Sequence, residues 1–204
     1  MENEITFPED RFVVYEKLAK VNFAFLTEKY GFCLSNIEKI DSRYIVLRYL
    51  SERVFVTLYY GSPSFELDFI IGRIGIEDKH NNEGFTSGDL VFLSDNRKWA
   101  SYKLYSAHSY ENLCKCLPKL AELLESYGAS CLEGDASPYE KMLFEKKRKI
   151  NQWCSEQELK QSKKSASIAW ENRDYSKFIE IIEPVINALS PSEKKKLEYA
   201  RKHL

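Results

Sequence analysis

The chain has 204 residues, 44% of them hydrophobic and 30% charged, which excludes a disordered, collagen-like or membrane-embedded polypeptide. Thirty Lys and Arg against 31 Asp and Glu leave a formal charge of −1, so no global field steers it toward nucleic acid or acidic lipid. Aromatic residues stand out: 13 Tyr, 12 Phe and 3 Trp suffice for a core and leave rings for a contact surface.

The acidic start, Met1 to Ile5, lacks the basic and apolar segments of a signal peptide. No apolar run approaches the roughly 20 residues that cross a bilayer. Cysteines 33, 114, 116, 131 and 154 are odd in number and sparsely spaced, unlike a disulfide scaffold. The expectation is a reduced, cytoplasmic protein with free thiols.

In chain order, Pro8, Glu9 and Asp10 suit a helix start. Val14, Leu18, Val21, Phe25 and Leu26 then recur at helical spacing up to Gly31, which predicts a helix over 9–30. From Phe32 the period becomes two. Strands are predicted at 37–40, 44–50, 53–60 and 65–73, and the short connections 51–52 and 61–64 make them an antiparallel meander. Residues 76–87 read as a polar loop, with one more short strand at Leu90–Leu93.

Helical signals fill the remainder. Ser109 opens a helix to Gly128, with Pro118 marking a kink or a delayed start. A small-residue hinge spans 128–137. Ser137-Pro138-Tyr139-Glu140 reads as a capping box for a long charged helix. Asp174 caps the next helix, and Ser190-Pro191-Ser192-Glu193 opens the last. Residues 167–197 look like one unit of a tetratricopeptide-type hairpin, and a single unit cannot form a solenoid. The fold class is α+β: an N-terminal helix, a meander of four to five strands, then helices. The expected division is an α+β domain over 1–130 and a helical extension over 131–204. Residues 1–108 carry 13 basic and 16 acidic side chains, residues 109–204 carry 17 and 15, so near-neutrality hides an acidic front and a basic back.

Phosphate-loop, dinucleotide, CxxC, HExxH and GxSxG motifs are all missing. Cys114 and Cys116 point about 200° apart on a helix and make a poor metal pair. His80, His108 and His203 lie in a loop, a helix approach and the tail, with no spacing that supplies an orienting partner. No cofactor and no metal are expected.

Two surfaces remain. On the last long strand Phe65, Leu67, Phe69 and Ile71 should face the helices, leaving Glu66 and Asp68 on the other side. Tyr44, Arg48 and Tyr59, together with Thr57, belong to that same outer face. A plain solvated face with Arg–carboxylate pairs is the ordinary reading. Interfaces, however, favour aromatics and Arg. The second surface is the long helix, where Lys146, Lys147, Arg148 and Lys149 precede Trp153, a combination able to bind phosphate and stack bases. Its Lys and Glu at three- and four-residue spacing equally suit a solvated face.

Phe25-Leu26, Tyr30-Gly31-Phe32, the tyrosine-rich strands with Phe65-Glu66-Leu67, Leu120-Ala121, Leu124, Tyr127 and Leu132-Glu133-Gly134-Asp135 together carry a resemblance. Over residues 9–145 the chain resembles small bacterial proteins, some regarded as immunity proteins of polymorphic toxins. The resemblance implies a cytoplasmic bacterial setting and carries over no site residue. The functional expectation is therefore a non-enzymatic protein-binding module, with a toxin as the specific partner. Alternatives are nucleic-acid association through 141–164 and an unrecognised hydrolase using Glu66 or Asp68.

Overall fold

A computed structural model describes residues 7, 10–41, 43–75, 84–94 and 101–204. The predicted loop at 76–87, with His80, lies largely outside the described residues.

Helix α1 spans Arg11–Asn22, and the Asp10 carboxylate caps it by accepting from the Phe12 and Val13 amides at 2.9 and 3.1 Å. The helix expected over 9–30 is in fact two. The chain leaves helical geometry at Phe23, and a four-residue helix α2, Phe25–Glu28, follows. The break aims Phe23 and Leu26, both fully buried, into the core. Gly31, at φ +68°, turns the chain into the sheet.

Strands β1 Cys33–Ile40, β2 Tyr44–Leu50, β3 Val54–Gly61 and β4 Glu66–Arg73 pair antiparallel in sequence order. Strand β1 begins earlier than 37 because its side chains are mostly exposed, so apolar alternation does not announce it. Strand β4 begins at Glu66, not Phe65. Phe65 adopts φ +49° outside the strand, and its ring lies under the Arg11 guanidinium at 4.0 Å. The inner face holds Ile45, Leu47, Tyr49, Val54, Val56, Leu58, Tyr60, Leu67, Phe69 and Ile71, all buried. Tyr15 of α1 stacks on Tyr60 at 5.0 Å between centroids.

The free edge of β4 is completed in two pieces. Strand β5, Phe85–Thr86, pairs with Ile71 and Ile70, while β6, Tyr105–Ser106, pairs with Leu67 and Glu66. Asp68 and Phe69 fall between them. Residues 90–93, expected as a strand, are instead part of helix α3, Ser87–Ser94. Its start is tied by Asp89, whose Oδ2 accepts from the Thr86 amide and hydroxyl at 2.9 and 3.0 Å. A four-residue apolar run does not separate strand from helix; the Thr86–Asp89 spacing is the cue that does.

Helix α4, Tyr110–Leu132, starts at its Ser109 cap and runs through Pro118. It buries Leu113, Leu117, Leu120 and Leu124. Gly128 does not end it. The glycine sits within the helix, where a Cβ would crowd Leu124 and meet Leu90 at 3.3 Å. The expected hinge thus shrinks to 133–135, with Gly134 at φ +86°. Helix α5 spans Ala136–Glu171, so Ser137 lies in its first turn rather than capping it.

The chain divides into two compact units, Met1–Leu143 and Phe144–Leu204. Tyr139 and Met142 are buried in the first core, which places the opening turns of α5 with the sheet. In the second unit Ala166, Ala169, Phe178, Ile182, Leu189, Leu197 and Ala200 form a separate core. It is built from the end of α5, α6 (Tyr175–Ile182), a 3-10 turn at Glu183–Ala188 and α7 (Pro191–Lys202). Asp174 caps α6, and the Ser190–Glu193 capping box opens α7 with both reciprocal bonds. No helix among the described residues is long and apolar enough to cross a membrane.

Candidate functional site

The register brings the five sheet residues onto one face. Tyr44 pairs with Gly61, Arg48 with Thr57, Tyr59 with Asp68, and Gly61 with Glu66. Tyr44 is 37% exposed and Arg48 is exposed, while Tyr59 and Glu66 are half-buried. Asp68 departs from the expected solvated face: it is 1% exposed. Its cover comes from β5, β6 and the α3 start, which reach β4 from far along the chain.

Arg48 makes no ion pair with Glu66 or Asp68 among the described residues. Its guanidinium lies over the Phe55 ring at 5.3 Å. That ring fills the space a Cβ on Gly72 would occupy, so Gly72, Phe55 and Arg48 form a stack across β4, β3 and β2. This holds a cation in a fixed place on an open face, with Tyr44 at the far end of the same strand.

Asp68 occupies the gap between β5 and β6. Its Oδ1 accepts from the Phe69 amide at 2.7 Å and the Ser87 amide at 3.3 Å, replacing ladder bonds that the edge lacks there. Oδ2 is buried and accepts no hydrogen bond that meets normal geometry among the described residues. Desolvation pushes the Asp68 carboxyl up to about 6, opposed by the Ser87 and Phe69 hydrogen bonds and assisted by Asp89. The Ser87 hydroxyl is bonded to the Tyr102 hydroxyl. Burial raises Tyr102 to about 12, with the Asp68 charge adding to it. Burial, then the Asp68 and Glu66 charges, raise Tyr59 well above its usual range. Tyr59, Tyr102 and Ser87 therefore gather round one carboxylate, and only Glu66, Asp68 and Tyr59 were visible as candidates in the sequence. The polar fringe of Tyr102 and Ser87 gave no local signal, because both come from segments joined to the sheet only by folding.

Tyr102 also lines an open groove of about 460 Å³ with Val91, Tyr105, Lys119, Glu122 and Tyr127. A second groove of about 540 Å³, between Tyr30, Arg53 and Glu133, contains none of the sequence-predicted residues.

On α5, Lys146, Lys149, Ile150 and Trp153 share a helix face by their three- and four-residue spacing. Lys147 and Arg148 point elsewhere, and Arg148 is held by Glu145 at 2.7 Å. Every residue from 150 to 156 is exposed, Trp153 at 61%. His108 and His203 are exposed. All five cysteines are free, Cys114 and Cys116 being half-exposed. Among the described residues no group of three or more His, Cys, Asp or Glu is placed to hold a metal.

The architecture defines an α+β protein with a one-sided antiparallel sheet. No family model matches the chain, and neither a curated protein nor a solved structure matches it.

Proposed function

We propose that this chain is a protein-binding module whose contact surface is the outer face of β2–β4. The observation that carries the reading is the contrast between the two sheet faces. The inner face is sealed by helices. The outer face keeps Tyr44 and Arg48 open to solvent, with Arg48 fixed on Phe55. Tyr and Arg are the residue types that dominate contact energies, and a pre-positioned Arg loses less side-chain entropy on binding. Neutralisation of a toxin is the specific form of this reading that the sequence resemblance suggests. Purification from the native host, followed by quantitative rebinding, tests it. Tyr44→Ala with Arg48→Glu should weaken the stoichiometric complex at least tenfold, and unchanged binding would refute the surface assignment.

Nucleic-acid association through α5 is the second reading, favoured by the exposure of 150–156 around Trp153. Affinity for a single-stranded oligonucleotide should then fall steeply with salt and on Trp153→Ala. A hydrolase centred on Asp68 has weaker support. The carboxylate is buried, and the described residues supply no nucleophile–base pair beside it.

A further inference from the structure

We infer that the Asp68 cluster is a receptor for a cationic side chain, an arginine, presented by the protein partner. This deepens the reading above and rests on it for the source of the arginine.

Three features of the cluster converge. First, Asp68 is 1% exposed, its Oδ2 lacks a partner with normal geometry, and no Lys or Arg among the described residues pairs with it. Buried carboxylates are ordinarily paired or fully hydrogen-bonded, since an uncompensated charge costs several kcal/mol of desolvation. Second, the surroundings repeat the same sign. Glu66 and Asp89 bring two further carboxylates close enough to act on Tyr59 and Asp68, and neither makes an ion pair. Third, the neutral neighbours are two half-buried tyrosines, Tyr59 and Tyr102. Their rings suit a planar guanidinium, and their hydroxyls can adjust to it.

There is also a route. Tyr102 lies between the 460 Å³ groove, which its ring lines, and Ser87, which its hydroxyl bonds. A side chain entering along the groove and turning Tyr102 off Ser87 reaches the gap between β5 and β6, where the carboxylate waits. Arginine fits better than lysine. Its fork can meet Oδ2 and a tyrosine hydroxyl together, whereas an ammonium offers a compact point charge.

The test uses the full chain and two acetylated, amidated tripeptides, Gly-Arg-Gly and Gly-citrulline-Gly, which differ only in guanidinium against neutral urea. The side-chain carboxyl of Asp68 is followed by NMR through a pH titration. The arginine peptide should bind at least tenfold more tightly than the citrulline peptide and move the Asp68 midpoint down by about one unit, the two numbers being linked. Asp68→Asn should abolish that preference, and a shift analysis should show its sheet amides otherwise in place. Equal binding of both peptides, or a preference that survives Asp68→Asn, would overturn the inference. Tyr44→Ala with Arg48→Glu separates this from the broader reading. Those residues lie away from the gap, so that variant should retain the peptide preference even where it loses the partner. If the partner binds Asp68→Asn as tightly as wild type, the sheet surface survives and the cation receptor falls.

Discussion

Replacing Asp68 by Asn should make the sheet unit more stable at neutral pH, although it removes a hydrogen-bonded carboxylate. The folded carboxyl titrates near 6 against an ordinary 3.8. Between those values the folded state holds a proton that the unfolded chain has released. Stability therefore falls as pH rises from about 4 to 6 and stays reduced above that. A difference of roughly two units at 1.36 kcal/mol each makes the loss about 3 kcal/mol, an upper figure because water can reach the group during local opening. Asn is neutral and nearly isosteric. Its oxygen can still accept from the Phe69 and Ser87 amides, and its NH₂ can donate to a tyrosine hydroxyl. Wild type and variant should thus be similar at pH 4 and diverge by up to about 3 kcal/mol at pH 8. Because the chain has two units, the assay must report on the sheet: hydrogen exchange of the Leu67 and Phe69 amides against urea, at both pH values, does so. A variant less stable than wild type at pH 8, or a wild type whose stability is flat from pH 4 to 7, would refute this account of the cluster.

The Tyr15 hydroxyl is buried without a partner among the described residues, so Tyr15→Phe should raise sheet stability by about 1 kcal/mol in urea unfolding. Ser190→Ala removes one half of the capping box and should cost the second unit about 1 kcal/mol, read by Trp170 fluorescence in denaturant. Glu193 is held down to about 2 by its bonds to the Ser190 backbone and Lys163. Its contribution is present above its ordinary 4.5 and should disappear as pH falls toward 2, a loss that Glu193→Gln would not show. Gly72→Ala should drive Phe55 aside and free Arg48, seen as exchange broadening of the Arg48 side-chain resonances and weaker partner binding.

Much of the sheet was legible because β2, β3 and β4 alternate cleanly, and short turns leave antiparallel pairing as the sole option. The Asp174 and Ser190 caps were equally plain, since capping is decided within four residues. The misses share a physical origin. Residues 90–93 were too short a run to arbitrate, β1 has little apolar face, and Phe65 left the strand through a backbone turn that favours no particular side chain. Asp68 is the instructive case. Its alternation places it correctly on the outer face, yet its burial depends on residues 85–87 and 102–106, which pack against it only in the folded chain. Local pattern reveals which face a side chain takes. What later covers that face is a long-range property.

The central claim is that the outer sheet face meets a protein. Titration calorimetry of the purified partner against wild type and Tyr44→Ala/Arg48→Glu, with sheet exchange protection checked in both, addresses it most directly. A one-to-one complex weakened at least tenfold by the double variant, with protection intact, is the expected result. Identical affinity for the two chains would contradict it.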